Sequence, residues 1–417
     1  MLDDDTVLLE YSLGQERSHL FALTPSTLNS YELPKRTEIE KQARIVHDLI
    51  SAYNGNVAGE TSLARQARIR ATRRRLTSAT AELSRMILSP VAEQIRGKRL
   101  LIVSDGALAY IPFAMLPSPN STGPHPEPLV VEHAIVNVPS ASVLAVLRQQ
   151  QANRPQAPKA VAVLADPVFA KDDARVAGSG QKSGADFAQT RSTQGTHDDS
   201  LTLATDLLVR SAADVGLKRR RGELHFPRLP FSRQEAEAVA AVVPKSEMLE
   251  ALDFRASLST AVNPDLAQYR IIHFATHGLL DSRNPELSGL VLSLVDQHGR
   301  PQNGFLNLQD IYNLNLRADL VVLSACETGL GKEVDGEGLM GLTRGFMYAG
   351  ASRVMASLWN VSDAGTAQLM SRFYRAMEQE GMRPAAALRA AQIQMWREKR
   401  WSDPYYWAAF QIQGEWR

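Results

Sequence analysis

The period of the apolar positions changes several times along this chain, and each change predicts an element. Thr6–Leu13 and His19–Leu23 are short strand-like runs separated by the polar stretch Gly14–Ser18, which predicts a hairpin. Thr37–Ile50 repeats its apolar residues at helical spacing, with Ile39, Val46, Leu49 and Ile50 on one stripe. Ser62–Leu88 does the same, with Leu76, Ala79, Leu83 and Met86 predicted to face inward. Lys98–Val103 predicts a strand that ends in the tight turn Ser104-Asp105-Gly106. Val130–Val138 predicts a further strand and Ser140–Gln150 a helix.

A second unit opens at Lys159–Ala165, a β-branched run ending in Asp166-Pro167. The pattern then fails. Lys171 to Gly222 is rich in Gly, Ser, Thr, Asp and Gln, and outside a short helical stretch at Leu201–Val209 it reads as a long mobile insertion. It closes on the basic run Lys218-Arg219-Arg220-Arg221. From Phe231 the elements alternate: helix Gln234–Val243, strands Tyr269–Thr276, Gly289–Val295 and Ala318–Ala325, helix Gly338–Tyr348, strand Arg353–Leu358. Helices Gly365–Gln379 and Pro384–Lys399 and a closing strand Tyr406–Gln413 follow. Strands alternating with helices predict a mostly parallel α/β sheet covered on both faces. No repeat of 20–50 residues is visible.

Composition narrows the classes. The 417 residues are 44% hydrophobic and 22% charged with a net charge of +1, the balance of a globular protein and not of a polyelectrolyte. No apolar run approaches the roughly 20 residues of a membrane span, and the acidic, strand-like start MLDDDTVLLEY is unlike a signal peptide. A single cysteine allows no intrachain disulfide, so a cytoplasmic protein is expected. Six arginines lie between Arg65 and Arg75. With the overall charge balanced, they read as a solvated helix face or a face for an acidic partner domain, in preference to a nucleic-acid surface.

Two strand ends carry reactive side chains: YRIIHFATHG (269–278) finishes on His277, and ADLVVLSACETG (318–329) on Cys326. Open α/β sheets place their chemistry at such ends. A thiol is mostly protonated at neutral pH, and an imidazole beside it can take its proton. The N–H groups of Gly278 and Cys326 are natural donors to the oxyanion of a tetrahedral intermediate. Alone, Cys326 would be read as a buried structural thiol and His277 as a core or capping histidine. Together, at two strand ends beside small residues, they point to a nucleophile and its base. His273 is the competing base. It sits four residues earlier inside the strand, about 13 Å further from the strand end, and is expected to be buried and hydrogen-bonded. Gly329-Leu330-Gly331-Lys332 fails the phosphate-loop pattern, since Glu333 follows the lysine. No Cys/His cluster has metal-ligand spacing, so neither metal nor cofactor is expected.

An apolar block ending in His-Gly, a spacer, then an apolar block ending in Ala-Cys resembles the caspase, legumain and separase clan. The 49-residue gap is close to the roughly 50 of caspases. The longer resemblance is to the CHAT family of caspase-like domains, often fused to tetratricopeptide repeats. It is carried by HFATHG (273–278), PELSGLVLS (285–293), LSACETGLG (323–331), GEGLMGLTRGFMYAGASRVMASLWNVSD (336–363) and DPYYWAAF (403–410), and further by LLEYSLG (8–14) and KRLLIVSDGALAYIPFAML (98–116). The resemblance implies a caspase-like fold in which residues 1–150 are a degenerate half and 159–417 the catalytic domain. It implies a cysteine endopeptidase with a Cys326–His277 dyad, acting on a protein substrate and switched by a repeat domain or an activating partner. In some relatives the target is another protein of the same defence system. Repeats usually lie N-terminal to this region, so the chain is expected to be a fragment or a short form.

Specificity is less legible. Ser324 stands two before the cysteine, and Ser357-Leu358-Trp359-Asn360 has no arginine at its last position, which argues against an aspartate-specific pocket. Preference for a basic residue, as in separase-like relatives, would need acids. Glu327, Asp335, Glu337 and Asp363 are the candidates, each also readable as a solvated loop residue or helix cap. Trp359 is a candidate subsite wall or a core residue. If cleavage follows basic residues, Lys218–Arg221 is a self-cleavage candidate, which mass spectrometry of the purified protein would reveal. The rival readings are a catalytically silent caspase-like interaction module and a cysteine acyl hydrolase or transferase acting on a small ester.

Overall fold

A computed structural model of the chain describes residues 2–54, 59–121, 127–152, 154–177, 208–210, 212, 219–220, 223–280, 284–324, 326–327, 337–359 and 362–416. Most of the expected insertion 171–222, and of the helix expected at Leu201–Val209, lies outside them. In chain order the first strands are β1 (Thr6–Ser12), β2 (Ser18–Leu23), β3 (Leu28–Leu33), β4 (Arg99–Val103), β5 (Ile135–Asn137) and β6 (Lys159–Ala165). Then come β7 (Arg219–Arg220), β8 (Glu223–Leu224), β9 (Met248–Leu252), β10 (Tyr269–Ala275), β11 (His277–Leu279) and β12 (Gly289–Val291). The last are β13 (Phe305–Asn307), β14 (Leu320–Leu323), β15 (Cys326–Glu327), β16 (Arg353–Ser357) and β17 (Phe410–Gly414).

The chain divides into two compact units, Met1–Pro155 with Ser352–Arg417, and Gln156–Ala351. The resemblance implies a division into 1–150 and 159–417; in the fold the last 66 residues group with the first unit. Specific bonds account for this. Arg148 forks onto the Glu415 carboxylate with Nη2–Oε1 at 2.9 Å, and the Arg99 guanidinium stacks 4.3 Å over the Trp416 ring. Asp403, only 3% exposed, accepts from Tyr53 and from Arg73 Nε at 2.8 Å. One arginine of the expected solvated face is therefore structural, and a second, Arg68, donates to Glu60 at 2.8 and 2.9 Å.

In the first unit the strands are ordered β3-β2-β1-β4-β5-β17-β16. β1, β4, β5 and β17 are parallel, while the hairpin strands and β16 are antiparallel to their neighbours. The expected hairpin forms, and Asp105 of the expected tight turn fastens it by accepting from Leu13 N at 2.7 Å and Arg36 Nη2 at 3.1 Å. The helix Arg36–Ser51 buries Ile39, Val46, Leu49 and Ile50 as its stripe predicts. The helix Ser62–Leu88 buries Leu76, Ala79 and Leu83, with Ile87 inward where Met86 was expected and Met86 half-buried. Of the strand expected at Val130–Val138, only Ile135–Asn137 is extended; Leu129–Val131 is a 3-10 turn whose Val130 carbonyl accepts from Arg389 at 2.8 Å.

In the second unit the main sheet is ordered β14-β10-β6-β9, and every ladder is parallel. β6, β10 and β14 are apolar at nearly every position and buried on both faces, as internal parallel strands covered by helices must be, while the edge strand β9 is mostly half-buried. The helix Pro230–Ala240 starts with proline at its first turn, where no N–H is needed. A small sheet, β13-β12-β11-β15, adjoins the carboxyl ends of β10 and β14 in the chain. No helix among the described residues is long and apolar enough to cross a membrane.

Candidate active site

The 49-residue spacing is a strand register. Ile271 pairs with Leu320 and Phe274 with Leu323 across the β10/β14 ladder, and the same offset returns as His277 opposite Cys326 across β11/β15. Both chains leave the main sheet together and enter the small sheet side by side. Neighbouring strands lie about 4.8 Å apart, so the backbones of the two expected dyad residues are adjacent. The crossing is held at Thr276, fully buried, whose hydroxyl donates to the Val291 carbonyl. Beyond it, Ser324 N donates to Phe274 O at 2.9 Å and carries the second strand through the same bend.

The His277 ring is 3% exposed. Phe169 and Phe226 stand against it with centroids at 5.1 and 5.7 Å, and against each other at 5.8 Å. Nε2 lies 2.7 Å from the Pro227 carbonyl oxygen. A carbonyl only accepts, so Nε2 carries the proton in this bond and Nδ1 is left with its lone pair. Nδ1 is buried and has no hydrogen-bond partner among the described residues. Burial pushes the imidazole pKa below its ordinary value of 6.5, and the bond to Pro227 offsets only part of this. This arrangement favours a neutral imidazole with its proton on Nε2 and leaves Nδ1 without a partner among the described residues.

Gly278 is opposite Glu327 on one side and Leu290 on the other. His273 behaves as expected of a structural histidine: it is fully buried, and its Nε2 is 3.1 Å from Glu235 Oε2. Ser324 is buried, and its hydroxyl has no partner among the described residues. Trp359 is 1% exposed and donates its indole N–H to the Tyr405 carbonyl at 3.1 Å, within the first unit. Asp363 begins the helix Asp363–Glu378, capped by Ser362 through Gly365 N at 3.2 Å. Asp335 lies outside the described residues. The sequence reading missed Pro227, Phe169 and Phe226. The run Phe226-Pro227-Arg228, which comes soon after the unpatterned stretch ends at Gly222, was the available signal.

Comparisons with known proteins identify the family and the fold. The family model described as CHAT domain matches residues 77–415. The human Tetratricopeptide repeat protein 28 is 29% identical over 217 residues, which are 45% of this chain and 8% of that protein. The mouse protein of the same name is 35% identical over 109 residues, 26% of this chain and 4% of its own length. The chain thus spans only a small part of these relatives. Two crystal structures of the Saccharomyces cerevisiae separase–securin complex superpose with TM-scores of 0.56 and 0.52 at 9% and 10% identity, each covering 98% of this chain and 30% of the other. At that identity the likeness concerns the fold, which is of the separase, caspase-like kind.

Proposed function

The chain belongs to the CHAT domain family, and we propose that it is a cysteine endopeptidase with Cys326 as nucleophile and His277 as general base. The observation that carries the proposal is the His277–Cys326 register, read together with an imidazole whose Nε2 is bonded to a carbonyl and whose Nδ1 has no partner among the described residues. In the proposed cycle Nδ1 takes the thiol proton as sulfur attacks a peptide carbonyl carbon. The N–H groups of Gly278 and Cys326 receive the oxyanion. As the C–N bond breaks, the imidazolium returns its proton to the leaving amine. Water, deprotonated by the same nitrogen, then hydrolyses the thioester and frees the carboxylate product. No cofactor enters these steps.

Pocket roles for Ser324, Glu327, Asp335, Trp359 and Asp363 belong to the proposal. Ser324 is favoured by a hydroxyl that has no partner among the described residues, two residues before the nucleophile, and Trp359 is disfavoured by its buried, satisfied indole. Control by a repeat domain or a protein partner is supported by the repeat proteins among the relatives and by the separase–securin complex among the structures of similar fold. A catalytically silent interaction module is the second reading, and the near-complete closure of His277 speaks for it. To decide between them, the wild-type chain and Cys326→Ala are incubated with a proteome and new N-termini are sequenced. Cleavages present only with the wild type support the peptidase. Identical N-termini in both samples, together with no labelling of Cys326 by a peptidyl thiol probe, leave the silent module.

A further inference from the structure

Both walls of the imidazole box are tied to one buried carboxylate. Asp166 follows β6, is fully buried, and holds a φ of +49°, a left-handed conformation that a non-glycine residue keeps only where its surroundings enforce it. Its N–H donates to Ser232 Oγ at 3.0 Å, and that hydroxyl donates to the Leu229 carbonyl at 2.6 Å. Arg228 grips both oxygens, Nε to Oδ1 at 2.9 Å and Nη2 to Oδ2 at 2.7 Å. Arg233 Nε adds a bond to Oδ2 at 2.8 Å, and Arg175 Nη1 stands 3.1 Å from Oδ1. Asp253 accepts from the same Arg175 and Arg233, at 2.7 and 2.5 Å, but is not bonded to Arg228. A buried carboxylate gripped by a bidentate guanidinium is geometrically specific, unlike an exposed ion pair.

The position of this node gives it a task. Phe169 lies three residues after Asp166, while Phe226 and Pro227 immediately precede Arg228. One carboxylate therefore fixes the segments that supply both aromatic walls and the carbonyl that accepts from His277. We propose that Asp166 is a positioning residue: through Arg228 it holds the Pro227 carbonyl on His277 Nε2 and so keeps Nδ1 free to take a proton. This rests on the reading of His277 as the base.

The test is nitrogen-15 NMR of the full chain labelled at histidine, comparing wild type with Asp166→Asn, Arg228→Gln, Arg228→Lys and Asp253→Asn. In the wild type His277 is expected as the Nε2–H tautomer. Losing the anchored acceptor removes a preference of about tenfold, the value of one hydrogen bond. Arg228→Gln and Asp166→Asn should therefore show mixed tautomers, Arg228→Lys an intermediate ratio, and Asp253→Asn the wild-type signal. Arg228 is 44% exposed, so its glutamine variant decides the matter even where Asp166→Asn does not fold. A folded Arg228→Gln with an unchanged His277 signal overturns the proposal, as does an Nδ1–H tautomer in the wild type. Thiol-probe labelling of Cys326 is measured on the same samples. Absent labelling in the wild type with the expected tautomer pattern removes the peptidase reading alone, whereas normal labelling with an unresponsive tautomer removes the positioning role alone.

Discussion

At the scale of single residues, the site is an imidazole whose chemistry is set by what surrounds it. The hydrophobic box disfavours the cation, so His277 is held neutral below its ordinary pKa of 6.5. Replacing His277 by Ala should lower kcat by about 10²–10⁴, the usual worth of a positioned base, with KM changed little. Equal kcat for the variant and wild type would remove the base role. A lowered pKa also fixes a sign in the pH profile. The base form persists to lower pH than in a free histidine, so the acid limb of kcat/KM should fall below 6.5. Phe226→Ala admits water to the ring and should move that limb upward, toward the ordinary value; a limb displaced downward would contradict the account. The pairing of His277 with Cys326 was legible in the sequence because each closes an apolar run and the two runs keep one offset. The Pro227 carbonyl was not, because every residue has one and only the fold chooses which is used. The same holds for Asp166, which the sequence showed only as the end of a strand.

Among the elements, the long ones were legible and the short ones were not. β6, β10 and β14 are apolar at most positions, and burial on both faces requires just that pattern. β3, LNSYEL, is mostly exposed at the edge of its sheet and carries no apolar alternation; its ladder with β2 makes it a strand. β11, β13 and β15 have two or three residues each, too few for a period, yet they form the sheet that brings His277 opposite Cys326. That sheet depends on a close approach at Gly289, which pairs with Leu279 of β11 and Asn307 of β13. A Cβ there would lie 2.5 Å from the Leu306 carbonyl oxygen and 2.6 Å from the Phe305 ring. Gly289→Ala should therefore cost about 1–3 kcal/mol of overpacking and lower thiol labelling of Cys326, because the strain falls on the strand beside His277. Denaturant unfolding and probe labelling check both parts. A variant as stable and as reactive as wild type would show that the sheet yields without moving the site.

Across the whole molecule, buried histidines set a pH window for stability. His47, His133 and His277 are at most 3% exposed, and burial lowers the pKa of each in the folded state. Unfolding returns them to about 6.5. As pH falls through 6.5 the unfolded chain therefore binds protons that the native chain refuses, so stability must fall with falling pH, by about 1.4 kcal/mol per pH unit for each such proton. Arginine-held carboxylates do not blur this window. Asp173, drawn down to about 2 chiefly by its hydrogen bond from Arg175, gives up its contribution only as pH drops through the ordinary carboxylate range and below. Calorimetry from pH 7.5 to 5.5 should show Tm declining throughout. His47 and His133 belong to the first unit and His277 to the second. A His47→Gln, His133→Gln double variant should thus flatten most of the decline whatever its Tm at pH 7.5, because the slope counts protons and is indifferent to packing lost at both pH values. If the slope survives in the double variant, the acid sensitivity arises elsewhere and these two histidines are protonated in the folded chain as readily as in the unfolded one.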